Sequence, residues 1–459
     1  MLIGVAGASG FVGSHLLESK PPGVHIRALS RKERESADGI EWVAADLFSY
    51  QSTLRALEGV DIAVYLVHSM LPSTRLFQGS FQDTDLLLAD NFSRACVATG
   101  VKKIIYLGGL IPEGKVSTHL ESRREVEDVF AASGIPTTVL RAGMIVGHGG
   151  SSFEILKNLV LNLPAMVLPD WTKSSTQTLY VDDLVRVLNA CIESDRLDGR
   201  TIDVVNGEDI TYADLIEQTA KHFERKPICV PVPVNYLGLS KLWVTLFGES
   251  DYELVSPLVD SLRCDLPSPS VPEELSELIR FRSFEEMLGE IPATKFKEGK
   301  KGRSSSDNTV RSIQRLAQNP LSEKEIGEEY FHWLPEKLNG LLSAEREGDL
   351  IKFFLTGLSA PLLVLQLIKG EQNLDRVKFH IVGGLLTGTT HTGWLEFRSV
   401  AGGKYVLASI NEFMPSLPWY IYKLSQAPVH AWVMNEFSKH LASLTGVTRE
   451  AESRAAAVL

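Results

Sequence analysis

The run Gly7-Ala8-Ser9-Gly10-Phe11-Val12-Gly13 follows directly on Leu2-Ile3-Gly4-Val5-Ala6 and leads into Phe11–Glu18, whose pattern is helical. A buried strand that turns through such glycines into a helix commits the start of the chain to a βαβ unit with a phosphate-binding corner. Gly7 permits the tight turn. Gly10 lets backbone N–H groups approach a pyrophosphate, and Gly13 lets the helix pack closely on the strand. The helix N-terminus adds partial positive charge at the same spot, with Ser9, Phe11 and Val12 completing the loop as candidate contacts.

The pattern that follows extends this unit. Short β-branched runs at Val24–Leu29, Ile40–Ala44, Asp61–Val67, Lys103–Leu107 and Thr137–Arg141 alternate with helical segments at Phe81–Thr99 and Thr118–Ser133. Such alternation predicts a doubly wound parallel sheet, an α/β Rossmann domain. A further strand and helix are expected at Thr201–Val205 and Thr211–Phe223, then Pro227–Val234 leads into a largely helical apolar region taken as a substrate cap over about 235–290. The first domain is read as 1–295. Residues 296–308, inside the charged, aperiodic run from Lys295 to Asn308, are read as a linker.

The end of the second strand discriminates between dinucleotides. An acidic side chain there would bind the ribose hydroxyls of NAD, whereas this chain offers Ser30-Arg31-Lys32, a hydroxyl and two cations suited to a 2′-phosphate. NADP(H) is therefore the expected cofactor, with NAD(H) second. Asp46 and Leu47, after the third strand, are candidate adenine contacts. Val67, His68 and Ser69, after the fourth, and Gly108, after the fifth, are read as facing the same cleft.

Composition narrows the partners. With 46 basic and 57 acidic residues, the net charge of −11 opposes a nucleic-acid-binding role. Cys96, Cys191, Cys229 and Cys264 are widely spaced, which suggests neither a disulfide framework nor a metal site and fits a reducing cytoplasm. Met1 runs straight into the first strand without a basic leader, so no secretory signal is expected. The least charged stretch, Phe353–Ile368, is about 16 residues against the roughly 20 of a membrane-spanning helix. Gly357 and Pro361 interrupt it, so two strands joined at Ser359-Ala360-Pro361 are expected, with an interfacial hairpin as the other reading. Oligomerisation is left open.

Beyond the linker, over 309–450, the order becomes a strand at Val310–Leu316, a helix at Glu323–Leu342 and strands near Leu350–Thr356, Leu362–Lys369, Val377–Leu386, Gly393–Val400 and Tyr405–Phe413. A closing helix at about Pro428–Leu444 carries Val433, Met434, Phe437, Leu441 and Leu444 at helical spacing. This α+β order resembles the START-like (SRPBCC, or helix-grip) fold, whose relatives hold apolar ligands between sheet and long helix.

The glycine loop with Asp46 resembles the atypical short-chain dehydrogenase/reductase superfamily. Tyr65-Leu66-Val67-His68-Ser69-Met70, Ile105-Tyr106-Leu107-Gly108-Gly109-Leu110, His119-Leu120-Glu121-Ser122-Arg123 and Leu140-Arg141-Ala142-Gly143-Met144-Ile145-Val146-Gly147 narrow the match. So do Ser152-Phe153-Glu154, Leu163-Pro164-Ala165-Met166, Gly393-Trp394-Leu395-Glu396-Phe397-Arg398, the run Phe413–Tyr420, and His430. Together they resemble the bacterial YbjT-like proteins, which join an NAD(P)-binding reductase domain to a C-terminal domain of unassigned function.

That resemblance exposes a substitution. Ordinary reductases of the superfamily use a Tyr and a Lys four residues apart on one helix, and the match places His119 and Arg123 there, with Gly108-Gly109 in place of a serine. Thr118 and Glu121 resemble a capping box, which would set His119 and Arg123 on one face near a helix start. Either His119 is a substituted acid/base with Arg123 on the ribose, or the histidine is satisfied by backbone and the arginine is an exposed partner of Glu127. His148-Gly149-Gly150-Ser151 reads as a flexible loop over the nicotinamide pocket, or as a turn with Ser151 or Ser152 capping the next helix, and the Gly143–Gly150 loop is expected to help enclose that pocket. Trp171, Trp243, Trp394 and Trp419 are assigned to core. Three functions compete: an NADPH-dependent reductase of an apolar carbonyl compound, a non-catalytic NADP(H) sensor, and a carrier of an apolar ligand in the second domain.

Overall fold

The computed structural model describes residues 1–69, 76–114, 116–233, 241, 244–245, 247–248, 252–262, 265–266, 270–292, 309–369, 375–388 and 393–456. The proposed linker, Met70, Trp243, Cys264 and much of the expected cap lie outside the described residues. The chain forms two compact units, Met1–Leu71 with Leu88–Lys300, and Pro72–Leu87 with Lys301–Leu459. Residues 72–87, read from sequence as part of the first domain, thus belong with the second unit.

In chain order the first elements are β1 (Leu2–Ala6), α1 (Phe11–Glu18), β2 (His25–Ser30), β3 (Ile40–Ala44), α2 (Tyr50–Leu57), β4 (Ile62–Tyr65), β5 (Leu76–Gln78), α3 (Phe81–Thr99), β6 (Lys103–Gly109), α4 (Thr118–Ala131) and β7 (Thr137–Ala142). Then come α5 (Ser151–Asn162), α6 (Val181–Glu193) and α7 (Tyr212–His222). A seven-stranded parallel sheet in the order Thr201–Val204, β7, β6, β4, β1, β2, β3 organises the first unit. Its central strands are buried on both faces, as at Ile3, Val5, Val64 and Ile105. That is why their sequence reads as apolar runs rather than as alternation. Sequence periodicity missed α2, which starts at Ser49 with its side chain accepting from the Ser52 backbone N–H at 3.3 Å. It also missed the amphipathic α6, whose buried face includes Leu184, Val187 and Leu188.

The second unit is built on an eight-stranded sheet. Its order is Leu342–Glu347, Leu350–Leu355, Leu363–Leu367, Arg376–Gly383, Trp394–Val400, Tyr405–Phe413, Val310–Leu316 and β5. All neighbours are antiparallel except the last pair, where β5 runs parallel to Val310–Leu316. The helix Glu323–Lys337 and the closing helix Gln426–Ala456 pack their apolar faces into one core with Phe397, Phe437 and Leu441. The expected helix to Leu342 is too long. Asn339 and Gly340 adopt φ of 50° and 75°, ending the helix, and Leu342–Glu347 becomes a strand. The closing helix begins at Gln426 and is preceded by a short helix, Trp419–Leu424. The uncharged stretch is a pair of antiparallel strands, Leu350–Leu355 and Leu363–Leu367, and among the described residues no helix is long and apolar enough to cross a membrane.

Candidate active site

The glycine corner is sterically determined. Gly7 has φ of +85°, and a Cβ there would lie 2.9 Å from the carbonyl carbon and oxygen of Leu66. A Cβ on Gly13 would overlap the Gly7 carbonyl oxygen and sit 2.7 Å from Ala8 Cα. The Gly10 N–H donates to the Gly7 carbonyl at 2.9 Å, and the Ser14 N–H to the Gly10 carbonyl at 2.9 Å, carrying the turn into α1. Ser9 and Gly10 are exposed, so the first-turn amides of α1 that lack intrahelical partners face solvent. This cradle fits a dinucleotide pyrophosphate because the backbone itself fills the room that side chains would need. The Phe11 ring packs against Gly147 and Gly150, where an added Cβ would come within 2.9 Å of its edge, and Val12 faces the core.

Around this corner the sequence candidates converge at the carboxyl edge of the parallel sheet. Ser30, the last residue of β2, is buried and its hydroxyl accepts from the Lys32 N–H at 3.3 Å, while Arg31 and Lys32 are exposed. Asp46 accepts from the Phe48 N–H at 3.1 Å, and the Leu47 carbonyl is held by Asn91 Nδ2 at 2.8 Å. Asn91, fully buried on α3, also binds the Phe48 carbonyl. Sequence reasoning gave it no role, because nothing local links it to a loop 44 residues earlier. Val67, His68 and Ser69 follow β4 and are half-buried, and Gly108 is buried near the end of β6.

Helix α4 is capped differently from the sequence expectation. Ser117, not Thr118, is the N-cap and accepts from the Leu120 N–H at 3.3 Å, while Glu121 pairs with Arg124 at 2.6 Å. His119 and Arg123 still share a face. The His119 ring lies 5.0 Å from that of His68, and Ser261 Oγ stands 3.5 Å from His119 Nδ1 and 2.8 Å from Ser117 Oγ. Arg123 is buried, with its stem over Gly109. It is therefore not the exposed partner of Glu127, which instead forms a two-point pair with Arg141 at 2.9 and 2.6 Å. Burial pushes the Arg123 guanidinium down to about 9, since the charged form loses hydration there.

His119 opens on a cavity of about 210 Å³. Gly109 and Ala142, the last residues of β6 and β7, form one end of it, and Ile155, Leu159, Trp171, Leu215 and Val259 form much of the wall. Ligand sites of open α/β sheets lie at this edge. Trp171, assigned to core from sequence, is buried yet lines the cavity. The stretch Gly143–Gly150 is not simply a loop: Met144–Val146 pairs in parallel with Thr178–Tyr180, and Gly150 itself is the N-cap of α5.

Residues 7–159 match a family model described as NAD(P)H-binding. The auxiliary protein GraX of Staphylococcus aureus is 33% identical over 108 residues, which cover 23% of this chain and 35% of GraX, so the match spans about a third of that relative. Among solved structures, a nucleoside-diphosphate-sugar epimerase of Staphylococcus aureus aligns with a TM-score of 0.51 at 16% identity, covering 63% of this chain and 100% of that one. The NADPH-dependent quinone oxidoreductase QOR2 of Escherichia coli, complexed with NADPH, gives 0.51 at 19% identity and covers 63% and 99%. The Citrobacter triphenylmethane reductase complexed with NADP(H) gives 0.50 at 17%, again covering 63% and 99%. At these identities the likeness establishes the fold, a Rossmann-like parallel sheet, and the family match makes residues 7–159 similar to NAD(P)H-binding domains.

Proposed function

We propose that the first unit is an NADPH-dependent reductase acting on an apolar carbonyl compound. The observation that carries this reading is the apolar cavity that meets His119 and Gly109 at the carboxyl edge of the sheet. Among the described residues lining it there is no Asp, Glu, Lys or Arg, which disfavours a charged substrate and suits a small, mostly hydrocarbon one. NADPH, when bound along the glycine corner, supplies the hydride. His119 then hydrogen-bonds the substrate oxygen and passes it a proton, and the Ser261 and Ser117 hydroxyls can relay a proton from solvent back to the imidazole. The Arg123 stem packs against Gly109 at the end of β6. With His119→Ala, kcat is expected to fall by about 100-fold while the NADPH dissociation constant changes little. An unchanged turnover in that variant would remove His119 from the chemistry, and no NADPH consumption with any apolar aldehyde, ketone or quinone would leave only nucleotide binding.

NADP(H) preference follows from Arg31 and Lys32, which present two cations beyond β2 where an acidic residue would select NAD(H). Arg31→Ala is expected to weaken NADPH at least about tenfold, the size of one charge-assisted contact, and to leave NADH almost unaffected. Titration of both nucleotides checks this, and equal losses for the two would remove the 2′-phosphate assignment.

The second unit supports a START-like reading through its sheet order and the closing helix packed on it. Tyr330, Phe331, Phe397 and Phe437 pack ring against ring in its core, while a cavity of about 610 Å³ lies between the sheet edge and the closing helix, lined by Gln78, Arg315, Tyr422 and Met434 among others.

A further inference from the structure

Among the described residues, one end of the second unit is apolar and almost uncharged, and its parts are brought together by backbone hydrogen bonds. The turn after Leu350–Leu355 carries Leu358, which is 47% exposed, and the loop after Arg376–Gly383 carries Leu385, 51% exposed. The Leu385 N–H donates to the Pro361 carbonyl at 3.0 Å, and the Ser416 N–H and hydroxyl donate to the Leu386 and Leu385 carbonyls at 2.9 and 2.8 Å. Pro418 then starts the short helix that presents Trp419, Tyr420, Ile421 and Leu424, the last 83% exposed. Among the described residues of this unit, the exposed large apolar side chains fall at Leu341, Leu358, Leu385 and within 419–432. Leu341 belongs to the same end, since its carbonyl accepts from the Thr356 N–H at 3.0 Å.

The charge pattern matches. Residues 356–368, 379–388 and 413–435 contain no Asp or Glu, although the chain has 57, and Lys423 is their one Lys or Arg. The chain as a whole carries a net charge of −11, which an anionic surface would repel. At this end leucines project from separate turns beside Trp419 and Tyr420, whose rings meet edge to face at 5.8 Å. Tryptophan and tyrosine have an apolar body and a polar tip, which suits the depth of lipid headgroups, and an exposed lysine suits their phosphates.

We propose that this end of the second unit docks reversibly on the surface of a bilayer containing anionic phospholipid. Leu358, Leu385 and Leu424 enter the acyl boundary, Trp419 and Tyr420 sit among the headgroups, and Lys423 meets a phosphate. The full chain should cosediment with phosphatidylcholine vesicles containing phosphatidylglycerol, with a blue shift of tryptophan emission. Tyr420→Asp combined with Leu424→Asp should lower the apparent affinity at least about tenfold without changing the circular dichroism spectrum, since both side chains are exposed. Lys423→Ala should weaken binding to the anionic vesicles and not to pure phosphatidylcholine. No cosedimentation of the unmodified chain, or undiminished binding of the double variant, overturns the proposal. A stable dimer in sedimentation equilibrium that the double variant dissociates would also overturn it, by giving the face to a second copy.

Discussion

Gly13→Ala is expected to abolish dinucleotide binding, with NADPH affinity down by at least about 100-fold, or roughly 2.7 kcal/mol. The added methyl has nowhere to go. It meets the Gly7 carbonyl oxygen and Ala8 Cα, both backbone atoms of the corner itself. Relief requires α1 to move away from β1, and that shift carries the phosphate-facing amides out of register. Fluorescence titration with NADPH reads the loss, and near-normal binding by this variant would mean that the corner is a structural turn without a ligand. A Gly289→Ala control, at a helix end where a Cβ would touch nothing within 4 Å and φ is not positive, separates loss of the cradle from a general cost of removing glycine.

Arg282→Met is expected to destabilise the first unit by about 3 kcal/mol, the usual penalty for stripping one partner from a buried ion pair. Asp183 on α6 is fully buried and receives the Arg282 backbone N–H at 3.0 Å as well as its guanidinium. Arg186, at 3.4 Å and half in solvent, is a weaker second cation. Burial already raises the Asp183 carboxyl above its ordinary range, and Arg282 opposes that rise. Methionine keeps a flexible apolar stem near Tyr180, whose ring lies 4.8 Å below the guanidinium, so the loss reports mainly on charge. Without the arginine the folded-state pKa rises further. The folded form then binds a proton more tightly than the unfolded one, so the deficit is full above that pKa and shrinks as the pH falls through it. Urea unfolding at two pH values measures both effects. Adding Asp183→Asn should recover more than half of the loss, and no recovery would locate the damage in packing instead.

What could be read from the chain alone tracks how local each cause is. The glycine corner, the boundaries of α1 and α3 and the parallel strands depend on neighbouring residues, through backbone sterics and apolar runs. Asn339-Gly340 was also a local stop signal, but a helical pattern running on to Leu342 obscured it. The candidate site is legible only in half. His119 and Arg123 share a helix face at i, i+4, a spacing visible in sequence, whereas Ser261 reaches His119 from 142 residues away. The burial of Arg123 has no local signature either, because the same spacing suits an exposed pair with Glu127. That carboxylate is taken by Arg141 from β7, a choice made by the parallel pairing of β6 with β7.

The segment around β5 has a practical corollary for anyone handling the gene. A fragment begun at residue 301 would lack Leu76–Gln78, leaving Val310–Leu316 with an open edge, and would lose the Asp83 carboxylate that holds Arg315 at 2.8 Å. Bare strand edges recruit other chains, so such a fragment should aggregate. The two halves are interleaved in sequence like pages of one signature, and a clean cut at the obvious seam would tear a leaf from the second.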